Sequence, residues 1–327
     1  EEIPVMAAQR ATRVAAHATA PPSAVKGNFV YSGRETLGEE DVREMVVQDA
    51  RAASRPYDIH RDGFCMVPGV PTQVVDMYDK LEVERVYYKE VEELLKQQLG
   101  AKRVIPFDHI VRNKARLAEE VAATGNESGS TPFLSGVASI VHNDYTVRSG
   151  YSRAKQLLTP CCSPEAIEKA LKGRFAIVNV WRPLATVEKD PLAMLSWELT
   201  QPEDVQTIKL VYTHREGEVY RVFPSDRHQW SYWSKMDPNE VLLFKTFDSE
   251  TAPGVAQFAL HSAFEISGQG DAPERQSVEV RSLVFFDDDA IDLAPAFRAP
   301  HLTPSPDSDS RVSLVDRKIM PQIPGQY

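Results

Sequence analysis

From residue 136 onward the chain is a succession of short β-type runs with turn signals between them, and no other feature restricts its fold as tightly. The runs cover 137–141, 175–181, 208–213, 219–223, 230–233, 241–247, 256–264 and 278–286. Arg215-Glu216-Gly217, Asp237-Pro238-Asn239 and Ala252-Pro253-Gly254 punctuate them. Gly, Pro and Asn supply the backbone geometry of turns, and many short strands joined this way build a β-sandwich or a barrel.

Ahead of that region the period changes. Val74, Val75, Met77, Tyr78 and Leu81, then Val83, Val86, Tyr87, Val91, Leu94, Leu95 and Leu99, recur at three- and four-residue spacing. This predicts a helix that ends at Gly100. Ser163-Pro164-Glu165 opens a second helix and Gly173 closes it, with Ser as cap and Pro in the first turn. Residues 112–122 read as a further helix and 124–132 as a flexible loop. The expected organisation is one integrated catalytic domain, mainly β with α. It comprises an extended arm (1–28), a helical or mixed portion packing on the barrel (29–135), the β core (136–293) and a C-terminal extension (294–327). A length of 327 residues would also accommodate two domains.

Charge and composition remove several function classes. The 37 basic residues are outnumbered by 47 acidic ones, and a net charge of −10 leaves no general basic face for nucleic acid or an anionic membrane. No run approaches the roughly 18 apolar residues of a bilayer span. Residues 1–25 lack the compact apolar core of a signal peptide. Cys65 and the adjacent Cys161 and Cys162 form an odd set that fits reduced thiols, so a cytoplasmic protein is expected. With no C-x-x-C pair, metal chemistry falls to the eight histidines.

His142-Asn143-Asp144 follows the apolar run 137–141, and His261 sits inside a late strand pattern. Residues i and i+2 of an extended segment point to one side, so one strand offers His142 and Asp144 together while a distant strand supplies His261. Two histidines and a carboxylate on one face of a metal leave three positions open, which suits Fe(II) enzymes that bind a co-substrate and O2. H-x-D alone is a weak signal. His60-Arg61-Asp62 repeats it before the main helix, and His214-Arg215-Glu216 lies in a charged turn. Position favours His142 and His261, which open and nearly close the β-rich region.

Arg275-Gln276-Ser277 is the second indication. A dicarboxylate such as 2-oxoglutarate chelates a metal at one end and needs a planar two-pronged donor at the other, which Arg provides. Ser277 shares the face of Arg275 and adds a hydroxyl. Glu279 and Arg281 share it too, either as a structural ion pair or with Arg281 as the anchor instead of Arg275.

These motifs carry a resemblance. Val141-His142-Asn143-Asp144-Tyr145-Thr146, 177–184 (IVNVWRPL), 240–245 (EVLLFK), Phe247-Asp248-Ser249, His261-Ser262-Ala263-Phe264 and 275–281 (RQSVEVR) are similar to Fe(II)/2-oxoglutarate-dependent oxygenases. Within them the chain resembles the hydroxylase/desaturase family of fungal and bacterial secondary metabolism, with Phe107-Asp108-His109 and Arg112 extending the likeness upstream. The resemblance implies a double-stranded β-helix, a jelly-roll or cupin-like barrel. It implies His142, Asp144 and His261 as iron ligands, and 2-oxoglutarate binding through Arg275 and Ser277, with Arg281 kept as the alternative because the spacing after His261 is long. It further implies a dioxygenase that uses Fe(II), 2-oxoglutarate and O2 to attack an unactivated C–H of a small molecule by hydroxylation, desaturation or ring closure. Tyr145, Arg148, Asn179, Trp181 and Arg182 are the substrate-pocket candidates. A cupin-like hydrolase or isomerase, or a non-catalytic jelly-roll partner protein, remain the alternatives, and the sequence leaves the oligomeric state open.

Overall fold

A computed structural model describes residues 23–34, 39–124, 134–211, 216–268, 270–287 and 311–313. The strands in chain order are β1 (Ala24–Ser32), β2 (Glu40–Asp49), β3 (Phe64–Val67), β4 (Arg103–Asn113), β5 (Leu134–Ser135), β6 (His142–Asn143), β7 (Phe175–Pro183) and β8 (Leu192–Leu195). They continue as β9 (Val205–Val211), β10 (Glu216–Val222), β11 (Trp230–Tyr232), β12 (Val241–Asp248), β13 (Leu260–Ala263), β14 (Glu265–Ile266), β15 (Gln276–Phe285) and β16 (Arg311–Ser313). The helices are α1 (Lys80–Glu82), α2 (Tyr88–Leu99), α3 (Lys114–Thr124), α4 (Val147–Leu158) and α5 (Pro164–Lys172), with a π turn at Val83–Tyr87 joining the first two.

Two sheets result. One has the order β14-β1-β2-β11-β8-β13-β6-β10-β9-β16, the other β3-β12-β7-β15-β4-β5. Apart from β1–β2, β4–β5 and β9–β10, the neighbours are non-consecutive strands, as in a jelly roll, so β6 lies beside β13 and β15 lies between β4 and β7. Strands β15 and β7 of the second sheet alternate between its two faces. Val278, Val280 and Val284 of β15 and Val178 and Val180 of β7 pack outward on Val83, Tyr87, Val91, Leu95 and Leu99. Each such fully buried side chain contributes roughly 1.5–3 kcal/mol. The intervening residues of β15 and β7 therefore face the first sheet. At one end of that space Trp181, Leu192, Met194 and Phe244 cluster. At the other, α4 and α5 press Leu157 and Ile167 onto Phe175, Ile177 and Phe285.

The helix before the barrel ends as the sequence predicts, with Gly100 in the left-handed region at φ 65°. Its start is later than the apolar period suggests. Asp79 caps α1 by accepting from the N–H groups of Leu81 and Glu82, and Glu82 accepts from the N–H groups of Val75 and Asp76. Those bonds satisfy the preceding backbone outside a helix. The third helix runs from Lys114 to Thr124.

The barrel sheets begin well before residue 136. β4 pairs along its whole length with β15 in the second sheet although it contains Pro106, which cannot donate to a ladder. Pro106 is tolerated because it lies where the β4–β15 register shifts between Arg281 and Ser282. Residues 24–28 belong to β1 and not to an arm. Conversely, 137–141 forms no regular strand. It holds an isolated bridge, Val30 to Ile140, ahead of the two-residue β6. The expected loop falls outside the described residues but for Thr124, which ends α3, as do residues 1–22, His214 and the expected C-terminal extension apart from β16.

Candidate metal centre

Strand pairing sets His142 directly opposite His261, with ring centroids 4.4 Å apart. In each ring Nδ1 faces a carbonyl two residues upstream, Ile140 O at 2.6 Å and Ala259 O at 3.0 Å. An N–H at Nδ1 donates there, which leaves the Nε2 lone pair for a metal. Asp144, two residues beyond His142, brings Oδ1 to 3.5 Å from His142 Nε2 and 3.9 Å from His261 Nε2. All three donor atoms lie within 4.8 Å of one another, the one group of three His, Cys, Asp or Glu so spaced among the described residues.

The opposite sheet orients the carboxylate. Asn179 of β7 donates Nδ2 to Asp144 Oδ2 at 2.9 Å, so Oδ1 is turned toward the two imidazoles. Electrostatics keeps the set ready for a cation. Burial, with His142 alongside, pushes His261 down to about 4, so its ring is neutral near pH 7. Burial alone would raise Asp144, but the His142 hydrogen bond and the charges of His261 and Arg281 hold it well below the usual carboxylate range. Two imidazoles and one carboxylate, with the rest of the coordination sphere open, fit an Fe(II) site.

Beside this triad lies a buried cationic pocket. Arg275, only 3% exposed, donates NH1 to the Asp190 carbonyl at 2.6 Å, and its guanidinium carbon stands 5.6 Å over the Trp181 ring. Its Nε and the Ser277 hydroxyl are both buried without a hydrogen-bond partner among the described residues. Burial, then the neighbouring Arg112, pushes the Arg275 pKa down to about 9. Unmatched buried donors on a cation are costly unless a ligand completes them. A carboxylate does so, which is the fit expected for the distal end of 2-oxoglutarate.

The remaining sequence-predicted residues separate by strand parity. Arg281 gives Nε and NH2 to Asp108 at 2.7 and 2.9 Å, so its fork is already occupied by a carboxylate. The Glu279 carboxylate forms no ion pair with Arg281 and no side-chain hydrogen bond among the described residues. Burial and the charge of Asp144 raise its pKa. Trp181 lies under Arg275, and Tyr145 is buried in the apolar cluster with Ile105 and Phe107. Arg148 lies outside the pocket, because the chain turns helical at Val147. Its side chain is 81% exposed and pairs with Glu218 at 3.3 Å. Arg182 is on the outer face of β7, one residue out of phase with Trp181. It donates to Tyr87 Oη at 2.9 Å, to Val70 O at 2.7 Å and to Pro238 O. Asp62 of the competing H-x-D is bound by Arg55, Arg61 and Ser196. The sequence reading assigned no role to Asp108 or Arg112, whose strand was obscured by Pro106.

Comparison with known proteins agrees with this geometry. A family model described as an oxidoreductase/YMDC permease-like domain matches residues 12–285. Hydroxylase/desaturase efuI of Hormonema carpetanum is 30% identical over 76% of this chain and 85% of its own. Alpha-ketoglutarate-dependent dioxygenase phiK, from a fungal species, is 32% identical over 79% of this chain and 88% of its own. The chain belongs to that oxidoreductase family, among the Fe(II)/2-oxoglutarate-dependent hydroxylases/desaturases. A solved structure, the iron and alpha-ketoglutarate-dependent endoperoxidase NvfI, aligns with a TM-score of 0.64 at 24% identity, covering 80% of this chain and 96% of that one. The oxygenase thus has the expected jelly-roll fold. No helix among its described residues is long and apolar enough to cross a membrane.

Proposed function

We propose that this oxygenase oxidises an unactivated C–H bond of a secondary-metabolite or amino-acid-derived small molecule, by hydroxylation, desaturation or oxidative ring closure. The observation that carries the reading is the pair of unmatched buried donors, Arg275 Nε and Ser277 Oγ, beside the His142-Asp144-His261 triad. Bound Fe(II) supplies dioxygen activation coupled to oxidative decarboxylation of 2-oxoglutarate. His142 and His261 would hold the metal through Nε2, and Asp144 would offset its charge through Oδ1. Asn179 fixes the Asp144 rotamer. Arg275, braced by the Asp190 carbonyl, and Ser277 hold the distal carboxylate. The apolar clusters at either end of the barrel exclude water from the reacting groups.

Relatives named hydroxylase/desaturase and endoperoxidase support an oxidative outcome that differs between members. The three free thiols agree with a reducing compartment such as the cytoplasm. A hydrolase or isomerase on the same barrel would leave the unmatched donors of Arg275 and Ser277 without a purpose. The test is a screen of small-molecule substrates with Fe(II) under air, following 2-oxoglutarate and succinate. Succinate release that requires Fe(II), 2-oxoglutarate and O2, and that one substrate class accelerates, is expected. Conversion of a substrate without 2-oxoglutarate or O2 would overturn the proposal.

A further inference from the structure

β4 presents an arginine that neither the triad nor the anchor described above uses. Arg112 stands directly opposite Ser277 across the β4–β15 pair. Same-face neighbours so paired lie about 5 Å apart at Cβ. Val111 packs outward on the cluster around α2, so Arg112 points the other way, to the side of Ser277 and Arg275. Its NH1 donates to the Gly136 carbonyl at 2.7 Å, which braces the head against the segment leading into β6. Among the described residues, Arg112 and Arg275 each donate only to a backbone carbonyl. Two guanidinium groups and an unmatched hydroxyl thus face one space, and the buried Glu279, two residues beyond Ser277, acts electrostatically on both arginines but bonds to neither.

Like charges placed together in a buried pocket repel unless an anion lies between them. Burial first, and Arg112 second, depress the Arg275 pKa, and Asp190 and Glu279 offset only part of that. A carboxylate has about four lone-pair sites, enough for Arg275 Nε, Ser277 Oγ and a second guanidinium. We propose that Arg112 and Arg275 grip the distal carboxylate of 2-oxoglutarate from two strands, forming a two-arginine clamp with Ser277 between them. This rests on the co-substrate reading above and deepens it. Arg112 is then a specificity-determining residue, because the clamp rewards a 2-oxo acid that carries a second carboxylate and penalises one that lacks it.

The experiment is calorimetric titration of the Mn(II)-loaded full chain with 2-oxoglutarate and with 2-oxopentanoate. The latter has the same carbon chain but no distal carboxylate. Arg112→Leu should weaken 2-oxoglutarate binding by about ten- to a hundredfold, the worth of one charged hydrogen bond, while 2-oxopentanoate binding stays within about twofold. Arg112→Lys should recover part of the loss, and Arg112→Gln repeats the test should the leucine variant misfold. A leucine or glutamine variant that binds 2-oxoglutarate like the parent, or that loses both acids equally, would overturn the clamp. Arg275→Leu separates the two levels. If it weakens 2-oxoglutarate and the Arg112 variants do not, only the clamp fails. If it too leaves 2-oxoglutarate binding unchanged, the co-substrate pocket itself is misassigned.

Discussion

Asn179 acts on the metal centre through a single hydrogen bond, from Nδ2 to Asp144 Oδ2. Without it the carboxylate is free to rotate, and Oδ1 is no longer held toward the imidazoles. Loss of such an orienting partner typically costs 10–100-fold in metal affinity. Asn179→Ala is therefore expected to weaken Fe(II) binding by roughly that factor, measured by anaerobic metal titration, and unchanged affinity would remove Asn179 from the centre. At this scale the sequence was legible where period-two alternation held. H-x-D placed His142 and Asp144 together, and Asn179 followed from its phase with Trp181. It misled at Arg182, one position out of phase and so on the other face, and at Arg148, where a capping box led by Thr146 turns the chain into α4.

Arg182 belongs to the element scale, because it ties β7 to the helical layer. It is 1% exposed, and its guanidinium satisfies Tyr87 Oη and the carbonyls of Val70 and Pro238. Arg182→Met should lower unfolding stability by about 2–4 kcal/mol, since several buried acceptors lose their donor at once. 2-Oxoglutarate affinity of the folded fraction should be unchanged. Denaturant unfolding together with binding measures both, and a selective loss of binding would restore Arg182 to the pocket.

His109 links the same two layers from β4, with Nδ1 3.0 Å from Tyr88 Oη of α2. Burial pushes its pKa down to about 4, below that of an unfolded histidine. Between pH 6.5 and 4 the unfolded chain therefore binds the proton and the native one does not, so this contribution to stability is lost as pH falls. For the metal-free protein His109→Gln should flatten the pH dependence over that interval, by up to about 3 kcal/mol. An unaltered slope would show that the ring is not the source. The α2 helix was readable from its apolar period and its closing Gly100. β4 was not, because Pro106 breaks the strand signal and only the tertiary bulge accommodates it.

For the whole molecule, the second half announced a barrel through its short strands and turns, but nothing local announced its closure. His142 and His261 meet only because the jelly-roll winding lays β6 beside β13. The front half looked helical because the polar outer strand β2 lacks a clean alternation. A site assembled between two sheets should stabilise both when filled. Fe(II) with 2-oxoglutarate at about 100-fold excess over its Kd should add nearly 3 kcal/mol, a rise of roughly 4 °C in Tm. 2-Oxoglutarate without metal should add much less, and equal shifts would contradict a chelated co-substrate.

The most direct test is an anaerobic titration of the Fe(II)-loaded protein with 2-oxoglutarate, followed by visible absorption. A charge-transfer band should grow and saturate at one co-substrate per chain, and it should be absent in His261→Ala. No band in the parent protein, or an equal band in His261→Ala, would contradict the assignment of His142, Asp144 and His261 as the iron site of a 2-oxoglutarate-dependent oxygenase.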